Sequence, residues 1–305
     1  MAHTQIRFGK AGAVAMTVAL GLVSGPAALA AAPAAQVFYE RTVMSAAGAR
    51  CRLFAPDLGA ALDSARNQAR SAALRSGVNQ AVLAQTARRA EAKAGAVACG
   101  SPDLATAAGR VRDAFAGYAR LSSMTFPGDA AVWRAVRRGP ADTPFWRLAQ
   151  TATMNGRPLT FGLTGGPGQG RGLVAMTDFG GAAPYAARLV ARDPARAPEP
   201  YLDAFGSRGG PLQLEDRVPP RTAARVFSAE ARGAADPRLL PGGGKTGVVF
   251  VFPDAAADAI AALDPREAVI LEFLFTGRGK DVARQAFVEV GDFAAGRAFL
   301  AVARR

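Results

Sequence analysis

The spacing of apolar residues changes once along the chain, and this change divides it into two parts. Between residues 37 and 122 apolar side chains recur every three or four positions, the period of a helix that buries one face. After residue 147 they alternate with polar side chains, as in a strand with one buried face. We therefore predict an α+β protein with a helical region at 37–122, a linker at 123–146 and an antiparallel β-rich domain at 147–305.

Local signals mark where the helices begin and end. A short helix near Phe38–Ala49 precedes one that begins at Pro56-Asp57, because proline suits a first turn and a carboxylate favours the positive helix end. Gly77 can close that helix in a left-handed conformation. The next two helices begin after residues that commonly cap N-termini: Asn79 and Ser101. Their alanine-rich apolar faces predict a closely packed bundle.

The second part reads as a series of hairpins. Asn155-Gly156, the strongest short hairpin signal, lies between the strand candidates Gln150–Met154 and Pro158–Thr164. Short helices are predicted at Asp254–Leu263 and from Asp292 onward. Further strands are predicted at Leu173–Phe179, Tyr185–Ala191, Ala223–Ala229, Val248–Phe252, Ala268–Phe275 and Val282–Val290. Few crossovers favour a β-sandwich or a partly open barrel.

Cys51 and Cys99 are the only cysteines of the chain. In an oxidising compartment two cysteines most simply form one disulfide, which would staple the helical bundle. Closing a loop of about 49 residues stabilises a fold by roughly 4 kcal/mol in the chain-entropy model. A redox role is not expected because no Cys-x-x-Cys pair occurs, and a metal role lacks further soft ligands.

The N-terminus has the layout of a secretory signal. Arg7 and Lys10 precede an uncharged, largely apolar stretch at residues 11–23, and Ala28–Ala30 offers an A-x-A cleavage site. We expect a signal peptide at 1–30, a periplasmic or secreted mature chain, and no transmembrane segment after cleavage. The alternative is an uncleaved anchor, because no charge occurs between Lys10 and Glu40.

The chain is strongly basic, with a formal net charge of +13 that falls to +11 without Arg7 and Lys10. Nearly all the remaining positive side chains are arginines. An exported basic protein could bind anionic polymers of the envelope. The alternative is codon usage in a GC-rich genome, which favours arginine over lysine. No run of five or six basic residues occurs, and this favours the codon-usage interpretation.

Histidine is absent after the predicted signal, since His3 is the only one. Histidine is the usual general base and the commonest metal ligand. The mature chain therefore cannot hold a Ser-His-Asp or Cys-His hydrolase site or a typical catalytic zinc site. The patterns Ser-x-x-Lys and Gly-x-Ser-x-Gly are also missing. We expect no cofactor and no metal.

Gly242–Thr246 (GGGKT) is similar to the end of a nucleotide-binding phosphate loop. The full pattern needs a further glycine where Leu239 stands, and it should follow a strand and begin a helix. Here the stretch precedes the predicted strand Val248–Phe252. We therefore expect no nucleotide partner.

Acidic residues remain as possible acid and base groups for a glycosidase, which needs two of them. Each also has a structural interpretation: Asp264–Glu267 as a tight turn, Asp292 as a helix cap, and Glu272 and Glu289 as part of a solvated strand face. The candidate carboxylates are Glu215, Asp216, Asp264, Glu267, Glu272, Glu289 and Asp292. None is assigned a catalytic role from the sequence.

Trp133 and Trp146 lie near the predicted junction of the two parts. They are binding candidates because tryptophan rings stack on sugars. The alternative is that they fill the seam between the two regions.

The C-terminal stretches Leu263–Val269 (LDPREAV) and Phe287–Ala301 (FVEVGDFAAGRAFLA) resemble exported proteins of GC-rich Gram-negative bacteria. The order from Val248 to the end, with Gly291-Asp292-Phe293 opening the last helix, is similar to the C-terminal half of invasion-associated locus B-type periplasmic proteins. That layout covers about a fifth of the chain. The resemblance implies an envelope β-domain with no known catalysis, and it transfers no site residue.

The leading hypothesis is a non-enzymatic exported envelope protein, either structural or binding. Its partner would be an envelope glycan, an anionic polymer or another envelope protein. Two alternatives stay open: a carboxylate-based carbohydrate-active enzyme, and an arginine-mediated binder of anionic envelope polymers.

Overall fold

A computed structural model describes residues 26–301, apart from positions 171, 182 and 203–211. Most of the predicted signal, residues 1–25, lies outside the described residues. Ala28–Ala30 belong to the first turns of the first helix. That helix is longer than the short one predicted at Phe38–Ala49. The helical region consists of α1 (Pro26–Cys51), α2 (Pro56–Arg75), α3 (Gln80–Ala96) and α4 (Pro102–Phe115).

The predicted helix boundaries of α2, α3 and α4 are confirmed by their capping contacts. Gly77 follows α2 with a φ of +91°, which a glycine adopts without a steric penalty. The Asn79 side chain accepts a hydrogen bond from the backbone N–H of Ala81 at 2.6 Å. The Ser101 hydroxyl accepts one from the N–H of Leu104 at 3.3 Å. These caps satisfy N–H groups that have no partner within the helix.

The bundle has two small cores and one covalent link. One core groups Phe38, Leu74 and Leu83 with buried alanines of α2, and the other lies around Ala47, Ala94 and Leu104. The predicted disulfide is confirmed: Cys51 ends α1 and is bonded to Cys99, with Cα atoms 5.5 Å apart. It ties the end of α1 to the loop before α4.

Two antiparallel sheets form the β-region, which confirms the predicted α+β fold and its order along the chain. One sheet has seven strands in the order β1-β2-β3-β4-β5-β9-β8, and the other has four in the order β11-β10-β6-β7. The sheets remain separate, so the described strands form no closed barrel. The strands are β1 (Ser123–Pro127), β2 (Val132–Val136), β3 (Phe145–Met154), β4 (Arg157–Gly165), β5 (Leu173–Thr177), β6 (Ala186–Arg192), β7 (Ala224–Ser228), β8 (Ala231–Ala234), β9 (Val248–Phe252), β10 (Ala268–Phe275) and β11 (Val282–Glu289).

The segment predicted as a linker, residues 123–146, instead belongs to the larger sheet. It supplies β1, β2 and the start of β3. The prolines and glycines that suggested a linker lie at the strand ends and in the turns between them. Strand β8 was not predicted from the sequence, because it is short and exposed and lacks the apolar alternation by which a strand is recognised. The hairpin at Asn155-Gly156 is confirmed, with φ values of +48° and +77° that suit a tight turn between β3 and β4.

One large apolar cluster fills the space between the sheets. It includes Phe126, Trp133, Phe161, Phe252 and Phe273, each fully buried. Two short helices complete the region: α5 (Asp254–Ala262) and α6 (Phe293–Ala301). Helix α6 packs against α2 on one side and against β1, β2 and β3 on the other. It therefore joins the helical region to the β-region.

Within the described residues, no helix combines the length and the apolar character that a membrane-spanning segment needs.

Candidate functional site

Every buried acidic side chain among the described residues is bound to an arginine. All five belong to the candidate carboxylates identified from the sequence, whereas Glu215 and Asp216 are exposed. Burying a charge without a partner is costly, so such pairing is expected wherever a carboxylate lies in a core. The ion pairs are Arg266–Asp264, Arg192–Glu267, Arg221–Glu272, Arg217–Glu289 and Arg75–Asp292.

The Asp264–Glu267 segment is a tight turn, as predicted. The N–H of Glu267 donates to the carbonyl oxygen of Asp264 at 3.0 Å, and Arg266 binds the Asp264 carboxylate through two nitrogens at 3.0 and 2.9 Å. Glu267 accepts two hydrogen bonds of 2.7 Å from Arg192, whose guanidinium is also fully buried. Burial raises the pKa of Glu267, while Arg192 opposes that shift. The turn holds its charges as bidentate pairs, which restrict geometry strongly.

Glu289 lies at the end of β11 and accepts hydrogen bonds from three consecutive backbone N–H groups. Those of Asp129, Ala130 and Ala131 donate to its carboxylate at 2.7, 3.0 and 2.7 Å. Arg217 lies 3.5 Å away. A Cβ atom at Gly128 would collide with this carboxylate, so the turn requires glycine there. Both carboxylate oxygens of Glu289 are thus occupied by protein donors.

A polar contact links the helical region to the β-region. Arg75, in the last turn of α2, binds Asp292 at 2.9 Å and approaches Asp129 at 3.9 Å. Asp129 also lies 3.6 Å from Arg217, so these side chains connect α2 with the turn that holds Glu289. Burial raises the pKa of Asp292, and its hydrogen bond with Arg75 opposes the shift.

The prediction that Glu272 and Glu289 lie on a solvated strand face is wrong. Both are buried, with exposed fractions of 3% and 0%. Glu272 accepts hydrogen bonds from Arg221 at 3.0 Å and from Gln285 at 2.9 Å. The cover comes from distant parts of the chain, namely the residues after β6 and the turn before β2. Strand alternation reports which face a side chain is on, and it does not report what covers that face.

The two tryptophans occupy different places and do not share a groove. Trp133 is fully buried in the core of the β-region, packs against Phe161 and Phe293, and donates to the carbonyl oxygen of Val290 at 3.0 Å. Its ring leaves no face for a ligand. Trp146 is half-buried on the outer side of the larger sheet. Its ring N–H donates to the carbonyl oxygen of Leu239 at 2.9 Å.

Among the described residues, four cavities are large enough to hold a small ligand. One of them, about 300 Å³, lies beside Leu58, Arg112 and Phe115. The outer groove, about 450 Å³, lies on the outer side of the larger sheet beside Val249 and Val251. The polar cleft, about 390 Å³, lies beside Asp129, Arg217 and Glu215. The α-cleft, about 290 Å³, lies between α1, α2 and α3. Volumes of this order suit single small molecules.

Glycine-rich Gly242–Thr246 does not form a phosphate loop. Its first residues belong to a single 3₁₀ turn at Pro241–Gly243, and strand β9 follows it where a phosphate loop requires a helix.

Among the described residues, no three metal-ligating side chains come together.

Arginines are the site residues that the sequence reasoning did not single out. Arg75, Arg192 and Arg217 bind buried carboxylates, and Arg66 and Arg70 line the α-cleft. A usable signal existed for Arg66 and Arg70, because they lie four residues apart beside the apolar stripe of α2. For Arg192 and Arg217 the partner is too distant in sequence to be identified.

Comparison of the chain with protein-family models, with curated proteins and with solved structures finds no match. The proposed function therefore rests on the geometry of the chain itself.

Proposed function

We propose that this chain is a non-enzymatic protein of the bacterial envelope that acts by binding. The observation that carries the proposal is that all five carboxylates buried in the described part of the chain are paired with arginines. A general acid or base must exchange a proton with a substrate that can reach it. Carboxylates held by arginines and backbone N–H groups away from solvent are suited to structure and poorly suited to proton transfer.

The predicted signal and the disulfide support an envelope location. Disulfides persist in oxidising compartments such as the periplasm and are rare in the bacterial cytosol. Cell fractionation followed by mass measurement tests this part. We expect a periplasmic or secreted chain that begins near Ala31 and has no free thiol. A cytosolic chain that retains Met1 and has reduced Cys51 and Cys99 would contradict it.

Turnover assays on the purified mature chain test the absence of enzymatic function. Envelope glycans, including peptidoglycan and acidic polysaccharides, serve as substrates for wild type, Glu289→Gln and the exposed control Glu215→Gln. We expect no turnover with any of the three proteins. Hydrolysis that persists through purification and disappears in a folded Glu289→Gln variant would show that the chain is an enzyme.

A second candidate function, binding of anionic envelope polymers, is favoured by three exposed arginines around the disulfide. Arg50 donates to the carbonyl oxygen of Val97, and Arg112 donates to that of Leu53 at 2.9 Å. Arg52 is exposed between them. Among the described residues, no carboxylate lies within 4.0 Å of these guanidinium groups. They form a local positive surface.

Salt dependence distinguishes this candidate, because polyanion binding through arginines weakens steeply as salt rises. Heparin serves as the polyanionic probe. We expect the double variant Arg52→Gln/Arg112→Gln to bind heparin more weakly and with a smaller salt dependence than wild type. The control Arg134→Gln/Arg138→Gln changes two exposed arginines elsewhere. Equal losses in both variants would refute a localised site.

A further inference from the structure

The α-cleft brings together charged, polar and apolar groups from three helices. Helix α2 contributes Arg66 and Arg70, α3 contributes Gln80 and Leu83, and α1 contributes Phe38. Residues three or four positions apart share one helix face, so each helix presents a continuous edge to the cavity. The position is defined by packed helices, which hold side chains more firmly than loops do.

Arg70 is the central cation of the α-cleft and its guanidinium has unused donors. Its one hydrogen bond among the described residues runs to the carbonyl oxygen of Leu263 at 3.4 Å. Among the described residues, no carboxylate oxygen lies within 4.0 Å of the Arg70 guanidinium. Burial lowers the pKa of Arg70, and the more distant Asp264 and Glu267 oppose that shift. A desolvated guanidinium in this state favours an added anion.

Arg66 lies one turn before Arg70 on the same face of α2. It approaches Asp63 at 3.6 Å and the Ser45 hydroxyl at 3.4 Å, both weak contacts on a partly exposed side chain. Arg66 therefore keeps N–H donors that no strong protein contact uses, on the same helix face as Arg70. Glu91 lies at the other end of the lining and is exposed.

Gln80 provides a polar group that lacks a partner. Its side-chain oxygen is buried and accepts no hydrogen bond in the described part of the chain. Buried amide groups are nearly always paired, so an orphan at the wall of a cavity indicates a missing donor. A ligand hydroxyl could supply it. Because a hydroxyl both donates and accepts, it would also suit the opposite orientation of the amide.

The remaining wall of the α-cleft is apolar. Phe38 and Leu83 are buried in the small core beneath the cleft, and alanines of α3 continue the surface. A dry cavity of about 150 Å³ holds a benzene molecule. The α-cleft, at about 290 Å³, therefore has room for one substituted ring.

We infer that the α-cleft binds a small organic anion that carries a compact apolar body and a hydroxyl group. The anionic group binds Arg70 with support from Arg66, the body packs against Phe38 and Leu83, and the hydroxyl binds Gln80. This inference rests on the proposed binding function and deepens it by naming the class of ligand. It concerns a different surface from the arginines around the disulfide.

Calorimetric titration of the full mature chain with three related probes tests the inference. The probes are 4-hydroxybenzoate, benzoate, which lacks the hydroxyl, and 4-hydroxybenzamide, which lacks the charge. We expect 4-hydroxybenzoate to bind most tightly. Loss of the charge should weaken binding about tenfold or more, since charged hydrogen bonds are the stronger ones, and loss of the hydroxyl should weaken it by less.

Matched variants connect this preference to the named residues. Arg70→Gln should lose about tenfold in affinity for 4-hydroxybenzoate, whereas Arg110→Gln, an exposed arginine of α4 outside the cleft, should bind as wild type does. Gln80→Leu should bind benzoate and 4-hydroxybenzoate equally. Arg70→Lys, which keeps the charge, controls for misfolding together with the melting temperature of each variant.

The results that overturn the inference are distinct from those that overturn the proposed function. No binding of any of the three probes, or equal affinity in wild type and Arg70→Gln, removes the α-cleft as an anion site and leaves the non-enzymatic proposal standing. Carboxylate-dependent turnover removes the non-enzymatic proposal and leaves the affinity measurements at the cleft unaffected.

Discussion

The helical region and the β-region reach a stable core by different means. The β-region has one large cluster rich in phenylalanine, in which several rings meet edge to face, and two smaller clusters beside it. The described helical region has only small clusters, in which half of the buried residues are alanines. Because hydrophobic stabilisation follows buried apolar area, at about 25 cal/mol per Å², alanine seams contribute little per residue. The region with the smaller core is the one that carries the disulfide.

Because their cores differ, we expect the two regions to respond differently to the same perturbation. Both tryptophans of the chain, Trp133 and Trp146, lie in the β-region. Tryptophan fluorescence therefore reports unfolding of that region, while the far-ultraviolet circular dichroism signal of α1–α4 reports mainly on the helices. The four changes that follow use this separation, and they run from the largest expected effect to the smallest.

Phe161→Ala should produce the largest loss, because Phe161 is fully buried between Trp133 and Phe252. We expect the free energy of unfolding of the β-region to fall by about 3–5 kcal/mol, as for other large-to-small core changes. Urea titration followed by fluorescence measures it. Val226→Ala, at an exposed strand position, is the control. A loss below about 1 kcal/mol would mean that the cluster tolerates cavities.

Removal of the disulfide should act on the helical region first. In Cys51→Ser/Cys99→Ser the unfolded chain gains the freedom of the open loop, so stability should fall by roughly 2–4 kcal/mol. We expect the dichroism transition to move to lower urea while the fluorescence transition moves less. Coincident shifts of equal size would show that the two regions unfold as one unit.

The contact between the two regions can be tested through the pH dependence of stability that Asp292 produces. Burial raises the pKa of Asp292 in the folded chain above 3.8, so the folded state holds this proton more tightly than the unfolded state does. Its contribution to stability is therefore present at lower pH and is lost as pH rises from about 3.8 through the folded pKa. The slope cannot exceed about 1.4 kcal/mol per pH unit, the value for one proton.

The variant Asp292→Asn lacks this titration. We expect the stability of wild type relative to Asp292→Asn to decrease as pH rises through that interval, measured by urea titration at a series of pH values. Asp254→Asn, an exposed acidic position at the start of α5, serves as the matched control. A difference that is constant with pH would show that Asp292 has the same proton affinity in both states.

Asn79→Ala should give the smallest effect. It removes one capping hydrogen bond to Ala81 at the start of α3, which is worth about 1 kcal/mol. Asn79→Asp retains an acceptor at the cap and should stay close to wild type. Hydrogen exchange of the first α3 amides localises the loss; an unchanged exchange pattern would mean that packing alone fixes the start of this helix.

Features that depend on neighbours in sequence could be predicted. The caps at Asn79 and Ser101, the hairpin at Asn155-Gly156 and the turn at Asp264–Glu267 all lie as expected. Each is determined by the conformational preference of a few adjacent residues, which act in any surrounding structure. The disulfide was predictable for a different reason, because two cysteines leave only one intramolecular pairing.

Features that depend on distant residues could not be predicted. Glu289 carries no local sign that the N–H groups of Asp129–Ala131 will enclose it, and Trp133 carries none that α6 will cover its ring. The α-cleft was missed because Arg70 and Gln80 come to line one cavity only through the packing of two helices.

The sequence alone determined the change from helical to strand period, the start of most helices and the pairing of the two cysteines. Only the tertiary structure decided which charges are buried, what covers each sheet face and where the cavities lie. The physical reason is the sequence distance over which each interaction acts. Backbone preferences and caps act over a few residues, whereas burial and ion pairing depend on which surfaces meet after the chain has folded.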